Sequence, residues 1–355
     1  MKPAHGSRRL LHLTALTLAV AGALSASGSA RACATCGCTL SRDWLGGQGF
    51  GSAGLSVGLS FDVTNQNQFH QGSGNISQGQ AEQILNAGTN ANPGGNEVET
   101  QTLTRTTTLN LDYNTPEWGV SAQLPFVYRY HQTYQTGLGQ TASDAAVFLT
   151  GNSGGTESYN FSQVNSLGDV RLIGRYALSV EGGYGVTFGI KLPTGITTGA
   201  FSGPAGGTVD PSLQAGTGST DVLLGGYYTS QIDAWGWFTQ ATWQHALASQ
   251  AGYTPGDALN ANLGLRYAGL LDNVTPLLQL NYVHRNTDSG FNASHEFDGT
   301  PQTGGNLMYL APGVAATLGN GFRAYAYVQF PVYQSVNGVQ LTARDIFSLG
   351  IRKSF

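Results

Sequence analysis

The sequence predicts an all-β protein, a closed transmembrane barrel of about twelve antiparallel strands. Two compositional observations support this: only 10% of the residues are charged and 51 of 355 are Gly, yet 16 Tyr, 15 Phe and 5 Trp recur in regular alternation. Beyond the N-terminus, no apolar stretch reaches the roughly 18 residues that a spanning helix needs. The composition therefore opposes both a helical membrane protein and a disordered chain.

The first residues have the pattern of a secretory signal peptide. Lys2, Arg8 and Arg9 form a positive region, 10–24 is apolar, and a small-x-small site ends at Ala32. Removing 1–32 takes away four positive charges and no acid, so the formal charge changes from −4 to −8. This acidic balance disfavours nucleic acid as a partner. We expect three parts: a cleaved signal peptide (1–32), a periplasmic N-terminal segment (33–50) and an outer-membrane barrel (51–355).

The last segment, 338–355, alternates apolar and polar residues and ends in an aromatic residue. Successive strand residues point to opposite sides, so such a strand suits a wall between lipid and water. The predicted lipid-facing set is Leu341, Ala343, Phe347, Leu349, Ile351 and Phe355. A soluble sandwich also alternates, but it has no need of a terminal aromatic.

The same alternation, bounded by turn residues, marks about twelve strands. The predicted spans are 51–63, 101–114, 118–131, 167–180, 184–192, 219–231, 235–247, 257–269, 274–286, 305–318, 321–333 and 338–355. Some links between these strands, such as 115–117 and 319–320, are short, whereas others, such as 64–100, 132–166 and 193–218, are long. Short and long links alternate, as expected when one rim faces the periplasm and the other faces outward. An even strand number with both termini in the periplasm follows.

Strand parity also predicts which side chains face inward. In the third strand, Trp118 and Val120 face lipid whereas Arg129 faces the lumen. The predicted lumen-facing set is Arg129, Asp169, Arg171, Arg175, Lys191, Asp221, Arg266, Arg323, Tyr325, Tyr327 and Arg344. The excess of cations favours anionic or electron-rich solutes, because a low-dielectric wall focuses the field inside. The alternative is a satisfied network of Arg and Asp that fills a narrow barrel.

All three cysteines lie within six residues, at Cys33, Cys36 and Cys38. Three soft thiolates at this spacing suit copper or zinc. The cysteine cluster would then bind a metal ion, or it would dock a redox partner in the periplasm. A disulfide with one free thiol, or lipidation of Cys33, remains an alternative. No combination of nucleophile and base stands out, so no enzyme is predicted.

Four short motifs carry a resemblance to a known family. They are Ser166–Arg171 (SLGDVR), Gly189–Gly195 (GIKLPTG), Gly216–Asp221 (GTGSTD) and Phe330–Gln334 (FPVYQ). Over roughly 50–355 the chain resembles the outer-membrane "MetA-pathway of phenol degradation" family of transporters. The resemblance implies a β-barrel channel for aromatic or other hydrophobic compounds, and it places Gly168, Asp169 and Lys191 in the lumen.

We therefore predict an outer-membrane channel for small solutes, aromatic or anionic, that contacts the lipid bilayer of a Gram-negative cell. The first alternative is the metal-linked protein with its cysteine cluster. The second is an outer-membrane enzyme or a purely structural barrel.

Overall fold

The computed structural model describes residues 40, 53–86, 96–136, 157–199, 211–249, 252–290 and 302–355. The predicted signal peptide and the three cysteines lie outside the described residues. Among the residues described, no helix is both long enough and apolar enough to cross a membrane.

Thirteen strands and one α-helix are described. The strands are β1 (Gly54–Gly72), β2 (Gly74–Asn75), β3 (Asn96–Asn114), β4 (Trp118–Thr136), β5 (Glu157–Leu167), β6 (Val170–Ser179), β7 (Tyr184–Leu192), β8 (Ser219–Ile232), β9 (Trp235–Ser249), β10 (Ala258–Tyr267), β11 (Val274–Arg285), β12 (Gly305–Gly319) and β13 (Phe322–Ser354). The helix α1 spans Gln78–Asn86, and a 3₁₀ turn spans Pro211–Leu213.

Every pairing among these strands is antiparallel, and the sheet closes on itself because β13 pairs with both β12 and β1. The strand β13 reverses direction at Gly338, where φ is 49°. Its first half follows β12 and its second half follows β1, and the Ser354 N–H donates to the Gly321 carbonyl. Both β5 and β6 pair with β4, one after the other along the same edge. The two-residue strand β2 pairs only with β1 and lies outside the wall. With β5 and β6 counted as one crossing and β13 counted as two, the wall has twelve strands, as the sequence predicted.

The predicted strands were too short at the rim with long links. Strand β1 continues to Gly72, β3 begins at Asn96, and β5 lies inside the predicted link 132–166. These extensions are rich in Thr, Gln and Asn and lack apolar alternation. Above the lipid neither face needs apolar residues, so backbone pairing alone continues the sheet and periodicity gives no signal.

The helix α1 lies in the predicted link 64–100 and begins with a capping box. The Gln80 N–H donates to the Ser77 hydroxyl at 3.3 Å, and the Ser77 N–H donates to Oε1 of Gln80 at 2.9 Å. The Ser-x-x-Gln spacing is visible in the sequence and marks a helix start.

The outer surface of the wall is apolar. Alternate residues along the strands expose large hydrophobic side chains, including Leu59, Leu109, Val120, Phe188, Leu224, Leu263, Leu310, Phe347, Leu349 and Ile351. Aromatic rings are exposed beside the short turns, at Tyr113, Trp118, Tyr176, Tyr184, Trp235, Phe322 and Phe355. Toward the other rim, Tyr130 stacks on Phe161 with ring centroids 6.3 Å apart, and Trp243 is also exposed. An apolar band between two aromatic girdles is the surface of a barrel that spans a bilayer.

The last strand corrects one prediction, because its alternation is interrupted. Between Thr64 and Gln66 of β1, the partner residue shifts from Ile346 to Ala343, which leaves one extra residue in β13. An extra residue exchanges the two faces of the strand. The pairing shifts again between Gln66 and Gln68. Leu341 and Ala343, predicted to face lipid, are buried together with Thr342 between them, whereas Phe347 is exposed as predicted.

Candidate functional site in the barrel interior

Directly opposed residues in an antiparallel sheet share a face, so the register shows which predicted residues lie together. Arg171, Lys191 and Asp221 are opposite one another across β6, β7 and β8. Lys191 and Asp221 are buried, and Arg171 is exposed on the same face. The adjacent strand residues Ile190 and Leu172 point to the opposite face and are exposed, so Arg171, Lys191 and Asp221 lie on the interior face.

Asp169 lies in the interruption between β5 and β6 and binds two loop segments. Its Oδ1 accepts the Gly195 N–H at 3.0 Å, and its Oδ2 accepts the N–H of Thr217 at 2.9 Å and the hydroxyl of Thr217 at 2.8 Å. The backbones of Gly195 and Gly216 approach so closely that a Cβ on Gly195 would lie 2.5 Å from the Cα of Gly216. Any larger residue at either position would therefore separate the two segments.

Lys191 is the cation between two acids. Its Nζ lies 3.4 Å from Oδ2 of Asp169 and 2.9 Å from Oδ2 of Asp221. The ammonium also donates to the hydroxyls of Thr217 and Ser219, and the Ser219 hydroxyl donates to Asp221. All three N–H groups of a lysine are thus used, as burial of a charge requires. Three of the four motifs that carry the family resemblance meet in this one cluster, which we call the Asp169–Lys191–Asp221 cluster.

Residues 211–217, which we call the inner segment, pack against the interior face of β4. Arg129 of β4 donates to the carbonyls of Ser212, at 3.3 Å, and Gln214, at 2.9 Å. The Gln214 side chain in turn bonds both the N–H and the carbonyl of Gly199. Ser212, Leu213 and Gln214 are all buried. The link between β7 and β8, predicted from its length to lie at the outward rim, is therefore folded into the barrel at these residues.

A basic cavity lies at the end of the barrel that carries the short turns. Its lining includes Asp112, Arg323, Tyr325 and Arg352. Arg352 donates to the Ser56 hydroxyl at 2.9 and 2.6 Å and lies 3.1 Å from Asp112. A second cavity adjoins the first, because Asp112 and Arg352 also line it.

Two further predicted arginines are also on the interior side. Arg175 lines the second cavity and donates to Oδ1 of Asn114 at 3.0 Å and to the Thr115 carbonyl at 2.9 Å. Arg266 lies over Gly236, its cross-strand partner, and donates to Oε1 of Gln231 at 2.6 Å. Both are tied to the wall beside the short turns.

The remaining predicted residues separate into two environments. Tyr327 is 2% exposed, and its hydroxyl accepts a hydrogen bond from Gln279 at 2.9 Å, while the ring of Tyr325 lies 6.1 Å from that of Tyr327. Arg344 is exposed and lies in the stretch of β13 where the register shifts. Arg344 lines neither of the two cavities described above.

No pattern in the sequence predicts the inner segment or its contacts. The signal for it was weak: the Gly-Thr-Gly and Pro-Thr-Gly motifs stood out as turn signatures, but a turn motif does not show which segments meet. Within the ranges that the structure describes, no group of three or more His, Cys, Asp or Glu residues has the geometry of a metal site. The predicted ligands Cys33, Cys36 and Cys38 lie outside those ranges.

Comparison with known proteins supports the fold. No family model matches the sequence, and no curated protein sequence matches it. Among solved structures, the chain is similar to an outer membrane channel from Pseudomonas putida F1, with a TM-score of 0.53 and 12% identity over 86% of this chain and 96% of that chain. It is also similar to the P. putida toluene transporter TodX, with a TM-score of 0.46 and 12% identity over 86% of this chain and 91% of that chain. The first likeness shows a shared barrel fold, and the second is too distant to carry an argument.

Proposed function

We propose that this protein is an outer-membrane channel for small solutes. The observation that carries the proposal is the closed wall, which is apolar outside and lined inside by buried polar and charged side chains around a cavity. Such a wall isolates a polar path from lipid. The fold likeness to an outer membrane channel and the resemblance noted in the motifs point the same way.

We further propose that the path is lined by the predicted lumen residues and that it favours anionic or electron-rich solutes. Around the basic cavity, Arg175, Arg323 and Arg352 outnumber Asp112. A cationic excess between low-dielectric walls raises the local concentration of anions. Tyr325 adds an aromatic surface to the same cavity.

The orientation is part of the proposal. The short turns, the N-terminal end of β1 and the C-terminus share one rim, since Phe355 donates its N–H to the Leu55 carbonyl. In outer-membrane barrels the short turns face the periplasm. Both termini then lie in the periplasm.

Single-channel recording in planar bilayers tests the channel. We expect discrete conductance steps and, under a KCl gradient, a reversal potential that shows a preference for chloride. The double substitution Arg323→Gln and Arg352→Gln removes two cavity cations, so the preference for chloride falls. Lys353→Gln is the matched control, because Lys353 lies over the rings of Phe322 and Phe355 instead of the cavity. A protein that inserts yet stays silent at all voltages contradicts the proposal.

Copper or zinc binding by Cys33, Cys36 and Cys38 stands as a separate proposal, supported by the spacing of the thiols alone. Elemental analysis of the purified protein, with a triple Cys→Ser chain as the reference, tests it. Equal metal content in the two preparations would end this proposal.

A further inference from the structure

Most of the cations that the structure describes lie on the interior side of the barrel. Among the described strand residues, only Arg105, Arg344 and Lys353 belong to the outward-facing set. Lys353 lies over the rings of Phe322 and Phe355 at the rim with short turns. Arg105 and Arg344 lie toward the opposite rim, on β3 and β13, the two strands that flank β1. The two cations of the outer surface that lie far from the short turns are therefore neighbours.

Arg105 faces outward because of its place in the alternation of β3. Thr104 and Thr108 are buried, whereas Arg105 and Leu109 are exposed. Side chains an even number of residues apart share a face, so Arg105 lies on the outer face with Leu109. The guanidinium carbon of Arg105 lies 5.4 Å from the ring centroid of Tyr128, its cross-strand partner on β4.

Arg344 reaches the outer face through the extra residue in β13. Ala343 and Ile346 are both buried, and the two residues between them, Arg344 and Asp345, oppose the single residue Asn65 of β1. Both neighbours of Asn65 on β1 are buried, so Asn65 faces outward. Opposed residues share a face, and this register therefore places Arg344 outward instead of in the lumen, where uninterrupted alternation predicts it.

Both arginines lie one membrane-crossing length from the short turns. Arg105 is nine residues from Asn114, at the end of β3, and Arg344 is ten residues from Ser354, at the end of β13. A tilted strand crosses the hydrocarbon of a bilayer in about 9–11 residues. In the orientation proposed above, both guanidinium groups therefore lie at the level of the headgroups of the outer leaflet.

The surface around the two arginines is polar. Gln101 donates to Oδ1 of Asn65 at 2.9 Å, and Gln163 donates to the Tyr128 hydroxyl at 2.8 Å. Within the described residues no ion pair joins either arginine to a carboxylate, and the acid nearest in the register is Asp345. Two cations and one acid leave this surface with a net positive charge.

We propose that this surface binds the phosphate groups of lipid A, the phosphorylated glycolipid part of lipopolysaccharide in the outer leaflet. We call it the Arg105–Arg344 patch, formed by these two residues with Asn65, Gln101 and Gln163. A guanidinium group binds phosphate in a bidentate manner, while its aliphatic stem lies along apolar surface. The amide groups suit the hydroxyls of the sugar that carries the phosphates.

The spacing of the arginines suits a single headgroup. They are separated by two strand spacings, each about 4.8 Å, and by about two residues along the sheet. Two extended arginine side chains can cover such a separation together. The inference rests on the orientation that forms part of the proposed function, but it does not require the barrel to conduct.

Native mass spectrometry of the folded protein in detergent tests the patch, with diphosphoryl lipid A as the probe. We expect the double substitution Arg105→Gln and Arg344→Gln to weaken binding about tenfold or more, because charge-assisted hydrogen bonds to phosphate are lost. Lys353→Gln is the matched control, since it removes an outward cation at the other rim, and its affinity should be unchanged. Equal affinity of the double variant and the unsubstituted chain overturns the inference.

Three further ligands identify the source of the phosphate. Lipid A stripped of its phosphates should bind the unsubstituted chain and the double variant equally, and phosphatidylglycerol should bind more weakly than lipid A. Inorganic phosphate at the concentration of lipid A should not displace it. Phosphatidylglycerol that binds as tightly as lipid A, or displacement by inorganic phosphate, overturns lipid A as the occupant.

A second pair of substitutions guards against misfolding, which the gel shift of the folded barrel reports. Arg105→Lys with Arg344→Lys keeps both charges and removes the planar fork, so its affinity should lie between those of the unsubstituted chain and the glutamine variant. If the glutamine variant does not fold, this lysine variant carries the test, and an affinity equal to that of the unsubstituted chain overturns the inference.

The orientation is tested separately by labelling intact cells with a membrane-impermeant maleimide, in a chain with all three native cysteines replaced by serine. Ser73→Cys, exposed in the turn between β1 and β2, should react, whereas Leu271→Cys, in a short turn, should not. The reverse pattern overturns the outer-leaflet site. A barrel that is silent in planar bilayers but binds lipid A through the Arg105–Arg344 patch would refute the channel and leave this inference standing.

Discussion

At the scale of single residues, Lys191 is the charge on which the interior depends most. It is 3% exposed and is the cation shared by the buried carboxylates of Asp169 and Asp221. A buried pair adds little net stability relative to apolar residues, but removing one partner leaves charge in a medium that solvates it poorly. Replacement of Lys191 by a neutral residue would leave the buried carboxylates of both Asp169 and Asp221 without their cation.

We expect Lys191→Met to lower the free energy of unfolding by about 3–5 kcal/mol, since methionine keeps the length of the side chain and removes only the ammonium group. The measurement is urea unfolding of the barrel in lipid vesicles, followed by tryptophan fluorescence. Lys353→Met, which removes a lysine over two aromatic rings, should cost about 1 kcal/mol or less. Equal effects of the two substitutions would mean that the Asp169–Lys191–Asp221 cluster is not a coupled unit.

At the scale of elements, the inner segment is held at both ends by side chains of the wall. Arg129 binds the carbonyls of Ser212 and Gln214, and Asp169 binds Thr217. Local opening becomes easier when such contacts are lost, even if the sheet is unchanged. The stability of this segment is therefore set by a few polar contacts instead of by strand pairing.

Arg129→Met should speed amide hydrogen exchange at 211–217 by tenfold or more, since a loss of about 1.4 kcal/mol in local opening free energy already corresponds to tenfold. Exchange in β10 and β11 should be unchanged. The matched control is Arg105→Met, because Arg105 is exposed on the next strand, over the ring of Tyr128 at 5.4 Å. Uniform acceleration across the barrel would contradict a local role for Arg129.

At the scale of the whole molecule, the apolar band on the outer surface determines how the barrel is placed in the bilayer. Leu263 is 52% exposed at mid-strand, opposite Leu280 of β11, whereas Leu271 is 57% exposed in the turn between β10 and β11. Because Leu263 and Leu271 have similar exposed fractions but lie at different depths, a comparison of substitutions at the two sites distinguishes the effect of lipid from the effect of exposure. A cation costs about 2–4 kcal/mol at the midplane of a bilayer and about 0–1 kcal/mol near the interface.

Leu263→Arg should therefore lower the free energy of unfolding from vesicles by about 2–4 kcal/mol, and Leu271→Arg should lower it by at most about 1 kcal/mol. Reversible folding into thin-lipid vesicles, followed by the gel shift of the folded barrel, gives both values. If the two substitutions cost the same, the outer surface does not face hydrocarbon at Leu263.

The sequence by itself determined the closed sheet, the number of strands in its wall and the lipid face of most strands. The reason is that lipid imposes a period of two on every crossing segment, and this period is written in the side chains. The short turns were located for the same reason, because each ends a periodic run. The pattern failed where that constraint ends: in the polar extensions of β1, β3 and β5 above the lipid, and at the extra residue before Ile346.

Only the tertiary structure decided what lies inside. Parity placed Lys191 on the interior face, but it did not show that Asp169, Thr217 and Asp221 surround it, or that Arg129 reaches the inner segment. Nor did it show that Leu40, far from β11–β13 in the chain, packs against them. Contacts across a barrel join residues that are distant in sequence, and they depend on closure and register together, so no local pattern of side chains encodes them.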